Sequence, residues 1–134
     1  LIRNPQGQFL FHKGHDKVKG EYFYRPLGGG IEFSESGQVA LEREIVEELN
    51  QEVHVSGLTA SFENIFTFDG LKGHEIIMLF SADFKNKSVY QQRELDIFES
   101  GVVIAKAVWR SVEEIKSEGS KLYPTGLEEV INGR

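Results

Sequence analysis

The stretch PLGGGIEFSESGQVALEREIVEELNQE, residues 26–52, decides how the chain is read. It opens as a glycine-rich loop, Pro26 to Gly30, and from Ser34 onward the pattern turns helical. Leu41, Ile45 and Leu49 recur every four residues and Val39 and Val46 widen the stripe, so the spacing predicts a helix over 34–49. Ser34 or Ser36 suits its N-terminal cap, and Asn50 suits its exit because Asn tolerates the left-handed conformation. Each helical residue advances about 100°, which gathers Glu44, Glu47 and Glu48 into one narrow arc. The same geometry turns Arg43 about a quarter turn from the three acids and centres the Leu41, Ile45, Leu49 stripe well over 100° from them.

Like charges at these spacings repel by about 0.2–0.5 kcal/mol per pair in an isolated helix. A bound cation offsets that repulsion, and hard carboxylate oxygens suit Mg²⁺ or Mn²⁺ better than zinc. Three Glu on a helix are, by themselves, more often a solvated face. Gly28, Gly29 and Gly30 just ahead of the helix add a second feature, because backbone there can approach a ligand closely and offer a carbonyl.

The whole chain carries that acidic segment against a nearly neutral background. Of 134 residues, 15 are Lys or Arg and 21 are Asp or Glu, for a net charge of −6. Residues 32–52 hold seven acids (Glu32, Glu35, Glu42, Glu44, Glu47, Glu48, Glu52) and one base, Arg43, so this segment alone equals the net charge. A basic face for duplex nucleic acid is therefore not expected. The length and the 40% hydrophobic content fit one soluble globular domain over 1–134. Without cysteine there is no disulfide framework, no thiolate zinc site and no thiol nucleophile. No apolar run reaches the ~20 residues of a membrane helix, so no membrane partner is expected and a cytoplasmic location follows. Leu1-Ile2 reads as the end of a strand entering Asn4-Pro5-Gln6-Gly7, and a few N-terminal residues are expected to be lacking.

Outward from the decisive stretch, residues 8–13 and 21–25 read as strands around a polar turn. Residues 62–68 alternate like a strand, and Asp69-Gly70 starts a turn. The run 74–84 is apolar on both faces and predicts a central strand covered on both sides. Residues 102–109 read as a last strand, Ser111-Val112-Glu113-Glu114 as a capping box, and Pro124 as the lead-in to a helix near 127–131. Between them, 85–101 has weak periodicity and reads as a functional loop or a short helix.

From Gly29 the spacing runs five residues to Glu35, seven to Arg43-Glu44-Ile45, and one to Glu47-Glu48. This resembles the Nudix box, the signature of the Nudix hydrolases, over residues 29–51, and the Pro26-Leu27-Gly28 lead-in is similar to theirs as well. Asn50 stands where the family has Gly and Gln51 where it has an aliphatic residue; the first preserves the helix exit, and the second removes an apolar anchor from the turn. The resemblance implies an α/β (α+β) fold, the Nudix-type α/β/α sandwich with a mixed sheet flanked by helices. It implies Mg²⁺-dependent, or Mn²⁺-dependent, hydrolysis of the phosphoanhydride of a nucleoside diphosphate linked to another group X. Glu44, Glu47, Glu48 and the Gly28 carbonyl would hold metal, with Glu44 or Glu47 catalytic. Arg43, Glu35 and Gly29 would support the loop and helix, the first two as a buried pair. Family members are often homodimers.

The general base is open at this point. Some family members take it from a distant loop, where Glu94, Asp96 and Glu99 are candidates here. Arg25 is a candidate phosphate contact, and Tyr22, Phe23, Tyr24, Phe62, Phe66 and Phe68 are candidate base-stacking rings, though alternating aromatics in strands mostly pack inward. His12 and His15 flank a turn with no evident partner. Two rival readings are a non-catalytic nucleotide-sensing module on the same fold and a plain acidic interaction domain. The first predicts degenerate box acids and the second no metal dependence.

Overall fold

The computed structural model describes residues 1–133. In chain order the elements are β1 (Phe9–Asp16), β2 (Glu21–Pro26), α1 (Gly37–Leu49), β3 (Val53–Phe68), β4 (Leu71–Phe84), a 3₁₀ turn (Lys87–Gln91), β5 (Glu94–Glu99), β6 (Val102–Arg110), α2 (Val112–Glu118), β7 (Lys121–Leu122) and α3 (Leu127–Asn132). Five strands form one sheet in the order β5-β6-β1-β2-β7. Its pairings are antiparallel except β2 with β7, so the sheet is mixed. β3 and β4 form a long separate hairpin, tied to the sheet through Ile2 beside Ala82 and Arg3 beside Phe9.

Alternation along the strands sends one set of side chains to each face of the sheet. Leu10, Ala107, Trp109, Leu95 and Ile97 pack with Ile45 and Leu49 of α1 and with Val53, Val55, Ala82 and Phe84 at the root of the hairpin. Phe11, Tyr24 and Val108 face the other way and pack with Ile115 of α2, Leu127 of α3 and Leu79 of β4. The layers are thus α1, sheet, and α2 with α3. Ile45 is 1% exposed and Leu49 5%; burying each such side chain contributes roughly 1.5–3 kcal/mol, which fixes α1 against the sheet.

Local chemistry sets the helix ends. Ser36, not Ser34, caps α1 by accepting from the Val39 N–H, and Asn50 leaves the helix at φ 55° with its own N–H donating to the Val46 carbonyl. Asn therefore does the work of the usual Gly. Gln51 is half-buried, and Val53, 2% exposed, supplies an apolar anchor two residues on. The reciprocal capping box of Ser111 and Glu114 opens α2. Buried Asp16 closes the β1–β2 turn by accepting from the Val18 and Lys19 N–H groups, and it reaches the hairpin tip through the Asp69 N–H.

Two expectations are corrected. Residues 74–84 are not a central, doubly covered strand: apart from the single bridge of Ala82 to Ile2, β4 pairs only with β3, and Ile76 is 76% exposed. The apolar run lies in a hairpin whose root, Leu79 and Asn64 are buried and whose tip is held to the β1–β2 turn through Asp16 and Asp69, while Ile76 and Met78 stay exposed. Residues 85–101 are neither a functional loop nor simply a short helix. After the 3₁₀ turn they form β5, whose Leu95 and Ile97 alternate into the core and whose register shifts between Ile97 and Phe98, breaking the periodicity.

Candidate active site

The loop 27–36 carries the chain from the end of β2 to the start of α1, and one side chain organises it. Arg43 donates from Nε and Nη2 to the two oxygens of Glu35 at 2.7 and 2.9 Å, and from Nη2 to the Gly30 carbonyl at 2.9 Å. Glu35 in turn accepts from the Glu32 N–H, and the Glu35 N–H closes a turn onto the Glu32 carbonyl. Bidentate guanidinium–carboxylate pairing is strong and directional. It brings Glu35 down to about 2, chiefly through the hydrogen bonds from Arg43. The pair is partly rather than fully buried, with side chains 25% and 12% exposed.

Arg43 also reaches the acids that helical geometry alone separates from it. Its Nη1 lies 2.9 Å from Glu44 Oε1 and 3.3 Å from both Glu47 oxygens. A long side chain spans the quarter turn, so the expectation of an uninterleaved acidic arc is corrected. The acids also differ in setting. Glu47 is exposed, whereas Glu44 and Glu48 are half-buried and Glu48 has its Oε1 shielded from solvent.

Gly29 and Glu44 fit so closely that a Cβ on Gly29 would lie 2.2 Å from the Glu44 carboxyl carbon. Glu48 sits beside the Gly28 peptide, and its Oε1 is buried without a hydrogen-bond partner. Desolvation raises its carboxyl to about 7; Arg25 and the Gly28 N–H oppose the rise, while Glu44 and Glu47 add to it. A buried, unpartnered carboxylate oxygen costs stability unless something positive meets it.

Among the described residues no three His, Asp or Glu side chains already converge on a point that could hold a metal ion. Arg43 occupies Glu44 and Glu47 instead. The donor set nevertheless fits a hard divalent cation: three carboxylates on adjacent turns, one with an orphan oxygen, beside a glycine backbone.

The remaining candidates divide by face. Arg25 lies on β2 in direct register with His12 on β1, and its charge bears on Glu48. Glu94 and Asp96 do not join the box. They alternate with Leu95 and Ile97, so they point away from α1, and both pair with Lys106 across β6. Glu99 is exposed at the end of β5. The aromatics are largely structural: Phe23 and Tyr24 are buried, Tyr24 donates to Glu118 at 2.6 Å, Phe68 meets Phe23 edge-on, and Phe66 lies over Gly73. Tyr22 is exposed but faces away from α1, against His15 and Lys13.

The NUDIX domain family model matches residues 1–128. The chain belongs to the Nudix family. That family is one of pyrophosphohydrolases acting on acid anhydrides, and its enzymes generally use divalent metals and small nucleotide-derivative substrates. Among solved structures, the chain is similar to the solution structure of the E. coli ORF135 protein, at 22% identity, over 97% of this chain and 81% of that one, with a TM-score of 0.55. That likeness supports the Nudix fold, a mixed sheet with three helices, and nothing finer. No curated protein matches the chain. Among the described residues no helix is long and apolar enough to cross a membrane.

The expectation that His12 flanks a turn without a partner is corrected: it lies within β1, with Arg25 as its partner. Its signal was present only as a register: a histidine on β1 facing an arginine on β2 at the strand end that feeds the box loop.

Proposed function

We propose that this Nudix chain is a Mg²⁺-dependent pyrophosphohydrolase of a nucleoside diphosphate linked to another group. Glu44, Glu47 and Glu48 would hold the metal, with the Gly28 carbonyl as a further donor. The observation that carries this reading is the buried, unpartnered Oε1 of Glu48 beside Glu44, Glu47 and the Gly28 peptide. When bound, the cation would offset the charge of the diphosphate and ease deprotonation of water near neutral pH.

The chain's own residues supply the rest. Water oxygen bonds to phosphorus as the anhydride P–O bond breaks; the leaving phosphate keeps the electron pair, and the water proton passes to a carboxylate. Glu47, exposed on α1, or Glu44, which shares Arg43 with it, would accept that proton. Glu94 and Asp96 are turned to the other face of the sheet and are not assigned this role. Arg43 fixes the loop through Gly30 and Glu35, and Arg25, exposed at the end of β2, is the phosphate contact.

The test is a panel of nucleotide sugars, ADP-ribose, dinucleoside polyphosphates and nucleoside triphosphates, assayed for release of a nucleoside monophosphate with Mg²⁺ or Mn²⁺. Turnover of at least one class, abolished by chelation, is expected. No turnover of any would overturn the enzyme reading.

A further inference from the structure

β1 and β2 place His12 and Arg25 directly opposite one another. Both project to the sheet face that carries Leu10 and Ala107, the face that α1 covers. His12 stands two residues beyond Leu10 on β1, so it lies just outside the packed core. Lys13, its neighbour, points to the opposite face and sits over the rings of Tyr22 and Tyr24. Of the cations near this part of α1, Arg43 is engaged with Glu35, Glu44, Glu47 and the Gly30 carbonyl, whereas Arg25 bears on Glu48 from the sheet side.

Arg25 Nη2 lies 3.2 Å from His12 Nδ1. A guanidinium has only donors, so the imidazole nitrogen must accept, and His12 is the neutral tautomer with its proton on Nε2. Burial and the Arg25 charge both hold its ring well below the usual range, at about 4, which keeps it an acceptor across neutral pH. The contact restrains an otherwise exposed, flexible side chain at the strand end leading directly into Gly28 and Gly29. A long side chain loses rotamer freedom when it binds an anion, and a partner that holds it beforehand lowers that cost.

We propose that His12 is a positioning residue, whose Nδ1 accepts from Arg25 and holds the guanidinium at the mouth of the box to receive a substrate phosphate. The inference rests on the proposed function, since it takes a diphosphate as the ligand. It adds that the phosphate clamp is a two-residue device spanning β1 and β2. A merely structural His12 would support the strand pair whether or not Arg25 is present.

The experiment is calorimetric titration of methylenediphosphonate, a non-hydrolysable diphosphate lacking base and sugar, with Mg²⁺ present. Arg25→Ala should weaken binding about tenfold, and His12→Ala several-fold. In the Arg25→Ala background, His12→Ala should have no further effect. His12→Gln, whose side-chain carbonyl can accept from Arg25, should restore most of the loss. Equal losses from His12→Ala with and without Arg25, or wild-type protein that fails to bind the diphosphonate, would overturn the inference. Hydrolysis of the nucleotide panel by wild-type protein, measured separately, decides the proposed function, so the two can fail independently.

Discussion

The Glu44 carboxylate lies against the bare Cα of Gly29, closer than any side chain at position 29 would allow. Loop and helix are therefore interlocked at the point where the box acids meet the glycine backbone. Gly29→Ala forces either the loop or Glu44 to move, since the nearest contacts to the new methyl are the carboxyl atoms themselves. A displacement of about 1 Å at a reacting centre can cost 10²-fold in rate. A fall in kcat/KM of about 10²-fold is expected, with the circular dichroism spectrum unchanged. Full activity in this variant would show that Glu44 has no fixed role.

Glu48 should control the stability of the metal-free protein. Its carboxyl rises from 4.5 in the unfolded chain to about 7 in the fold, because burial disfavours the charge. The folded state thus binds this proton more tightly, so the contribution is fully present below about pH 4.5 and is lost as pH rises through about 7. Glu48→Gln removes the charge and should stabilise the metal-free protein at pH 8 by about 1–2 kcal/mol, allowing for partial solvent exposure. Denaturant unfolding at pH 5 and pH 8, with chelator, checks the sign: the gain should be large at pH 8 and small at pH 5.

Glu35 should act in the opposite direction. Arg43 brings its carboxyl down to about 2, so its contribution is present above about pH 4.5 and is lost as pH falls through about 2. Glu35→Gln should lower the thermal midpoint at pH 7 and flatten the acid limb of the stability profile. It should also reduce activity, because the Gly30 carbonyl and Glu35 share Arg43. A midpoint unchanged at pH 7 would contradict the bridging role given to this pair.

Ser111 offers a control for fold against site. Its hydroxyl and the Glu114 carboxylate close the capping box of α2, on the sheet face away from α1. Ser111→Ala should cost about 1 kcal/mol of stability and leave kcat/KM unchanged. A matching loss of activity would mean that the box responds to general destabilisation rather than to its own geometry.

The box was legible in the sequence because its chemistry is local. Gly29, Glu35, Arg43, Glu44, Glu47 and Glu48 are set by spacing along one loop and one helix, and α1 keeps its stripe of Leu41, Ile45 and Leu49. Where meaning depends on tertiary neighbours, the reading missed. Ile76 and its neighbours form a run that is apolar on both faces and reads as core, but nothing in the sequence shows that one face of their two-stranded hairpin is left uncovered. β5 has only Leu95 and Ile97 as buried apolar signals before its register shift, so Glu94 and Asp96 looked like loop acids when they are strand residues paired with Lys106. Helical angles place Cα–Cβ directions, not guanidinium groups, which is why the reach of Arg43 to Glu44 and Glu47 was missed. The approach of Arg25 to Glu48 and of His12 to Arg25 requires β1 and β2 to be paired beneath α1.

The central claim is that Glu44, Glu47 and Glu48 form a divalent-metal site that makes hydrolysis possible. Its most direct test is a titration of Mn²⁺ followed by electron paramagnetic resonance in wild-type, Glu47→Gln and Glu48→Gln protein, with hydrolysis of the nucleotide panel measured on the same samples. The account predicts that Mn²⁺ binding and turnover fall together, each by at least about tenfold, while the far-ultraviolet circular dichroism stays native. Variants that bind Mn²⁺ and turn over substrate as wild-type protein does would contradict it.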